Sequence, residues 1–277
     1  MYNAGGGWDA ALIFCLPIQE MTKKTTRKRL ILVTNDDGIQ APGLTVLSEC
    51  LSALGEVYIV APEREQSAVG HSLTLRHPLR ITEVGPRVIA VEGTPTDCVL
   101  LAYYRILPEN PAIVFSGINF RHNLGDDITY SGTVSAALEA TLLGVPAVAV
   151  SIGRDGKKVH YETAARFALK LGRKVLSTGL PADTLLNVNL PNIPASKIKS
   201  VAVTRQGRRS YDDVIVEKVD PRGRPYFWIG NGEPRWAEAT GTDIHAIRAG
   251  KISVTPIHLD LTNHSAIDVL KDWKIRK

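Results

Sequence analysis

Leu30-Ile31-Leu32-Val33-Thr34-Asn35-Asp36-Asp37-Gly38 is the stretch on which the fold turns. Its first four residues are apolar without alternation. A strand with one wet face would alternate, so this run reads as a strand covered on both faces. Polar residues and a glycine then stop it. Beyond them Leu44, Leu47, Leu51 and Leu54 recur at helical spacing, and Gly55 closes that helix. Val57–Val60 is a second apolar strand. Strand, helix and strand at this spacing define a βαβ unit, in which the two strands run parallel.

The same alternation continues. Val88–Val91 reads as a strand, Thr96–Leu107 as a helix and Ala112–Phe115 as a strand. Gly132–Leu143 follows as a helix closed by Gly144, then Pro146–Val150 as a strand, Tyr161–Val175 as a helix and Leu185–Val188 as a strand. The expectation is an α/β fold: a Rossmann-like three-layer core over 29–195, with a mainly parallel sheet and helices on both faces. After Pro194 the texture changes. Val201–Thr204, Asp213–Val219, a turn at Asp220–Gly223, Pro225–Ile229 and Lys251–Pro256 read as strands and turns, with a helix expected only in the last few residues. Residues 196–277 are therefore expected to form a smaller β-rich extension.

Composition narrows the class. The chain has 277 residues, 44% hydrophobic and 22% charged, which excludes a disordered or collagen-like chain. No apolar run approaches the ~20 residues of a membrane span. The net charge of +5 is concentrated at the ends: residues 1–29 and 271–277 each carry +3, leaving the body at −1. That distribution argues against a basic nucleic-acid surface on the body. Cys15, Cys50 and Cys98 form no C-x-x-C pair, so a reducing, cytoplasmic setting is expected. The apolar run 10–18 has its Lys/Arg cluster after it rather than before it, unlike a signal peptide. Met21 opens a stretch that looks like a cytosolic start. Residues 1–28 are thus expected to be an extension, its first twenty residues either dispensable or an upstream start.

The chemistry is expected beyond the carboxyl ends of the strands, where open α/β sheets bind ligands. Asp36 and Asp37 fall there, directly after the first strand. Two carboxylates ~4 Å apart repel by roughly 4 kcal/mol in a partly screened site, so a divalent cation is the simplest companion. The plainer alternative is a solvated Asx-type turn with Gly38 at positive φ. The loop Ser116–Asp127 follows another core strand, and Asn119 in it can offer a neutral oxygen to a metal; it can equally be a turn-rich connector. Tyr130-Ser131-Gly132-Thr133 leads into a helix whose free N–H groups suit phosphate, or simply a cap. The polar loop Pro62–Thr74 carries Ser67 and His71. There is no G-x-G-x-x-G, no P-loop, no G-x-S-x-G and no H-E-x-x-H. The seven histidines show no ligand spacing. Together these features point to metal-assisted phosphoryl chemistry.

Several ordered motifs resemble one family. They are Leu32-Val33-Thr34-Asn35-Asp36-Asp37-Gly38, Ala61-Pro62-x-x-x-Gln66-Ser67, Gly93-Thr94-Pro95-x-Asp97-Cys98, Ser116-Gly117-Ile118-Asn119, Asn123-Leu124-Gly125, Tyr130-Ser131-Gly132-Thr133-Val134, Leu186-Asn187-Val188-Asn189 and Ser253-Val254-Thr255-Pro256. From Ile31 to about Asn263 the chain resembles the SurE family of stationary-phase survival proteins, metal-dependent 5′/3′-nucleotidases. The resemblance implies one divalent cation, Mg²⁺ or Mn²⁺, held by Asp36, Asp37, Ser67 and Asn119. It implies phosphate contacts from Asn123, Ser131, Gly132 and Thr133, with Asp36 or Asp37 handling the attacking water. It further implies nucleoside monophosphates as substrates, some activity on 3′-nucleotides and short polyphosphate, a cytoplasmic location, and a homodimer or homotetramer built through the C-terminal region. Arg121 and Ser135 stand where the family usually has glycine. Two rival readings stay open. One is a covalent intermediate on Ser67 or Asp36. The other is a nucleic-acid module in which Arg205, Arg208, Arg209, Arg222, Arg224 and Arg235 interleave with Tyr211, Tyr226, Phe227, Trp228 and Trp236; the resemblance makes that segment an intersubunit hairpin arm instead.

Overall fold

The computed structural model describes residues 28–154, 158–210, 215–229, 235–237 and 239–275. Thirteen strands are formed among the described residues: β1 Leu30–Thr34, β2 Glu56–Pro62, β3 Ile81–Gly85, β4 Val88–Val91, β5 Ile113–Asn119, β6 Ala147–Ile152, β7 Thr184–Leu190, β8 Val201–Val203, β9 Arg209–Ser210, β10 Ile215–Val219, β11 Pro225–Ile229, β12 Arg235–Trp236 and β13 Ile252–His258. The helices are α1 Pro42–Leu51, α2 Pro95–Leu101, α3 Gly132–Leu142, α4 Tyr161–Thr178, α5 Asp243–Arg248 and α6 His264–Asp272. All but the two short pairs β10–β11 and β9–β12 join one nine-stranded sheet in the order β3-β4-β2-β1-β5-β6-β7-β13-β8. From β4 to β7 every pairing is parallel.

β1 is buried along its whole length, and its residues alternate between two cores. Ile31 and Val33 pack with Leu44 and Leu47 of α1 and Ala164 and Ala168 of α4. Leu30 and Leu32 pack with Val99 of α2 and Val134 and Ala137 of α3. Each fully buried Leu or Ile contributes about 1.5–3 kcal/mol of transfer free energy, so two apolar layers on one strand fix it at the centre. The expected three-layer α/β core is therefore present.

Differences lie mainly at the ends. The sheet continues past residue 195: β13 pairs antiparallel with β7, and β8 pairs parallel with β13. Among the described residues, only the hairpin and the two-residue pair form separate ribbons. The segment 196–260 was expected to lack a helix, yet α5 forms there. It has six residues, too few to show a period. Thr242 caps it by accepting from the His245 N–H at 3.2 Å, and Ile244 and Ala246 are buried. β3 was also unexpected. It lies at the sheet's edge with most of its residues exposed, so it lacks the apolar run that marks the central strands. The helix expected over 96–107 is α-helical only to Leu101; a single π turn follows at Ala102–Ile106. The extension at 1–28 lies outside the described residues except for Lys28, as does Tyr211.

Candidate functional site

The chain runs from β1 through β2 toward one edge of the sheet, and from β5 through β7 toward the other. The order therefore switches between β1 and β5, where adjacent loops diverge and leave a crevice. Asp36 and Asp37 follow β1, and Asn119 ends β5.

The turn after β1 is not the solvated Asx-type turn of the plainer alternative: Asn35 and Asp36 are buried, and the asparagine closes the turn by donating, not accepting, while Gly38 takes the expected positive φ. Asn35 Nδ2 donates to the Gly38 carbonyl at 2.9 Å, and Gly38 sits at φ +95°, a conformation that strains other residues. The loop after β2 is laced to this turn. Gln66 N–H donates to the Asp36 carbonyl and Ile39 N–H to the Pro62 carbonyl, both at 2.8 Å. Ser67 is thereby carried one residue beyond the Asp36 main chain. Its hydroxyl donates to Glu65 Oε1 at 2.5 Å.

α3 closes the other side. Thr133 Oγ1 donates to Asp36 Oδ1 at 2.5 Å. A Cβ on Gly132 would lie 2.8 Å from Asp36 Cβ and 3.2 Å from Pro95 Cγ, so no side chain fits there. Ser131 caps the helix, its Oγ accepting from Val134 N–H at 3.1 Å, and Ser135 Oγ donates back to the Ser131 carbonyl at 2.7 Å. The anion lying at this helix start is thus the Asp36 carboxylate itself.

Asp37 accepts from the Phe120 N–H at 3.3 Å, which ties the acid pair to the end of β5. Asn119 is buried, and its amide donates to the Arg121 carbonyl at 2.7 Å, leaving the side-chain oxygen for a ligand. Asn123 is committed within the protein. Its amide donates to Ser151 Oγ and its main-chain N–H to Asn189 Oδ1, each at 2.8 Å, while its carbonyl accepts from Asn187 and Asn189. In this arrangement Asn123 braces the loop.

Burial pushes the Asp36 carboxyl above its ordinary range, although Thr133 opposes this with its hydroxyl and main-chain N–H. Asp37 is pushed up to about 6, first by burial and then by the charge of Asp36; the Phe120 N–H and Arg121 pull the other way. Glu65 raises both carboxyls through its own charge. Beside them, Asn35 Oδ1, Thr34 Oγ1 and Ser116 Oγ are buried without a hydrogen-bond partner among the described residues. The site is rich in oxygen acceptors and short of positive charge. Among the described residues no group of three or more His, Cys, Asp or Glu is arranged to hold a metal. The expected donors are two carboxylates, a hydroxyl and an amide oxygen, a hard-oxygen set that fits a small divalent cation.

Two residues escaped the sequence reading. Glu65 was only part of a polar loop, although its place two residues before Ser67 was a usable signal. Asp243 had no local signal, because its partners are distant in sequence: it accepts from Gly125 N–H at 2.8 Å and Gly207 N–H at 2.9 Å, as well as from its neighbour Ile244 N–H. Burial raises its carboxyl and those N–H groups oppose the rise.

Fold and site together define an α/β protein with an acidic, oxygen-lined crevice at the sheet's switch point, closed by a helix start. Residues 31–213 match the model of the family described as survival protein SurE. The 5′-nucleotidase SurE of Geobacter sulfurreducens is 57% identical over 245 residues, covering 88% of this chain and 94% of that one. The 5′-nucleotidase SurE of Geotalea daltonii is 56% identical over 245 residues, covering 88% and 99%. The crystal structure of SurE protein from Aquifex aeolicus superposes with a TM-score of 0.80 at 44% identity, covering 89% of this chain and all of that one. The chain belongs to the SurE family.

Proposed function

We propose that this protein is a metal-dependent phosphomonoester hydrolase that cleaves nucleoside 5′-monophosphates to nucleoside and phosphate, with 3′-nucleotides and short polyphosphate as further substrates. The observation that carries the reading is the acid pair, buried Asp36 bonded to Thr133 at the start of α3 and half-buried Asp37 beside it, both with raised carboxyls, in a chain more than half identical to relatives named as 5′-nucleotidases.

Asp36, Asp37, Ser67 and Asn119 would hold one Mg²⁺ or Mn²⁺. A bound divalent ion supplies Lewis-acid polarisation of the phosphate and relieves the repulsion between the two acids. Thr133 fixes the Asp36 carboxylate in place. Asp37 is the freer acid, held by one long hydrogen bond. It orients the attacking water and takes its proton. Water attacks phosphorus, the ester P–O bond breaks, and the sugar oxygen leaves with a proton. Ser131 and the Gly132 N–H, the part of the α3 start that Asp36 does not occupy, hold the phosphate oxygens as charge develops. Asn123 keeps the loop between β5 and α3 in register.

The test is a metal-free preparation assayed on a panel of phosphate monoesters with each cation added back, run beside Asp36→Asn. Turnover is expected to require the cation and to vanish in the variant; activity surviving Asp36→Asn with unchanged metal dependence refutes the scheme. One observation favours a second route. The Ser67 hydroxyl bonded to Glu65 is what a serine nucleophile would need, so trapping a phosphoserine at 67 would establish a covalent pathway.

We further assign 29–195 to catalysis and the hairpin and C-terminal helix of 196–277 to self-association as a homodimer or homotetramer. Adjacent strand residues point to opposite faces, and both Phe227 and Trp228 are more than half exposed, so neither face of the β10–β11 ribbon is covered. α6 buries none of its residues and exposes Leu270. Apolar surface of this kind suits a second copy of the chain. Salt-sensitive oligonucleotide binding lost on deleting 208–236, with the oligomer intact, would instead support the nucleic-acid reading. A cytoplasmic location fits the free Cys50 and Cys98. Among the described residues no helix is long and apolar enough to cross a membrane.

A further inference from the structure

The crevice has an aromatic wall that the hydrolytic chemistry does not use. Phe120, whose N–H bonds Asp37, is only partly buried although it follows seven fully buried residues of β5. Its ring lies 6.4 Å from that of Tyr161, the first residue of α4, tilted by 57°. The guanidinium carbon of Arg154 stands 6.0 Å from the centre of the same ring. Arg154 is exposed, as is Arg121 next in sequence to Phe120. Burial and then the charge of Asp37 raise the Tyr161 hydroxyl, so this ring too lies within electrostatic reach of the acid pair.

We infer that Phe120 and Arg154 form the slot that receives the base of a nucleotide substrate, with the ring of Phe120 as its floor. This rests on the hydrolase reading given above. A flat ring in van der Waals contact on both faces needs about 7 Å between its neighbours. Phe120 and Arg154 already stand close to that separation, and an exposed arginine can move by the remaining ångström. The Phe120 N–H stands 3.3 Å from the Asp37 carboxylate, so its ring lies within one side-chain length of the acid, within reach of a base joined to the phosphate through a sugar. An aromatic floor under a guanidinium suits every base through its π-face, and suits purines best because they cover more area. It gives nothing to a sugar phosphate without a base. The slot therefore selects nucleotides over simple phosphate esters, and purine over pyrimidine nucleotides.

The experiment measures kcat/KM for AMP and for ribose 5-phosphate with the full chain and added Mn²⁺, in wild type, Phe120→Ala, Phe120→Trp and Arg154→Ala. The ratio of AMP to ribose 5-phosphate is expected to fall about tenfold in Phe120→Ala and to recover in Phe120→Trp. A smaller fall is expected in Arg154→Ala, which removes only an exposed side chain. Inhibition by adenosine should weaken in parallel. A ratio unchanged in both Phe120→Ala and Arg154→Ala overturns the slot while leaving the hydrolase intact. If Phe120→Ala does not fold, Arg154→Ala decides alone by the same ratio. Absence of turnover on both esters in wild type would overturn the hydrolase reading, and the slot with it.

Discussion

Lowering the pH from 7 to 5 should strip the cation from this protein, and the size of the effect follows from Asp37. Its carboxyl sits at about 6 instead of 3.8, with burial and Asp36 as the main causes. A cation needs the ionised form, so protons and metal compete for the same oxygens. With a midpoint near 6, Asp37 is ~90% ionised at pH 7 and ~10% at pH 5. The apparent dissociation constant for Mn²⁺ should therefore rise about tenfold from this group alone. Asp36 is raised as well, so log Kd should fall as pH rises from 5 to 7 with an average slope of at least about one half. Isothermal titration calorimetry in two buffers of different ionisation enthalpy reads both the Kd and the protons released. At pH 6 about half a proton should leave Asp37 for each ion bound. The metal-free protein should show the opposite face of the same linkage. A carboxyl raised in the folded state binds its proton more tightly than in the unfolded chain, so stability falls as pH rises from about 4 to about 6. Two units correspond to ~3 kcal/mol, and partial exposure reduces this to about 1.5 kcal/mol. Saturating Mn²⁺ should remove that loss. A Kd constant from pH 5 to 7, or no proton release, would refute the assignment of the cation to these acids.

Other consequences are open to test. Gly132→Ala should cost about 1–3 kcal/mol by calorimetry and weaken Mn²⁺ binding, because the new methyl would sit 2.8 Å from Asp36 Cβ. His71→Ala removes the 2.8 Å partner of Glu139, a carboxylate largely buried on α3; a lower Tm and faster proteolysis within 63–78 are expected, with Ser67 held less well. Asp243→Ala leaves buried N–H groups of Gly125 and Gly207 unpaired and should cost about 2–5 kcal/mol in urea denaturation, whereas Asp243→Asn should cost less. Thr133→Val keeps the volume but removes the hydroxyl bond to Asp36, so kcat should fall while the fold persists, as circular dichroism would report.

The central sheet was legible because its strands are covered on both faces. Leu30–Val33 and Ile113–Phe115 are apolar without interruption, and only a buried parallel strand tolerates that. The acid pair was legible for a related reason: two adjacent carboxylates after such a strand have few innocent explanations. What stayed hidden depends on long-range partners. Asp243 reads as an ordinary first-turn acid until Gly125 and Gly207 are brought to it. Asn123 is legible as a loop amide, but its anchors Ser151, Asn187 and Asn189, on two later strands, are not. α5 is too short to show a period, and β13 reverses direction to join a sheet whose other members suggested only parallel neighbours.

The acids at 36 and 37 meet their partners late in the chain: Phe120 lies 83 residues on and Thr133 lies 97 residues on. A ribosome delivering this protein emits the two carboxylates long before anything exists to hold them. The nascent N-terminal third is therefore an unassembled half-pocket with no grip on an ion, and the centre comes into being in one step when the start of α3 docks. Metal capture by this polypeptide should thus mark the moment at which its middle strands have closed, a natural stopwatch for biosynthetic folding.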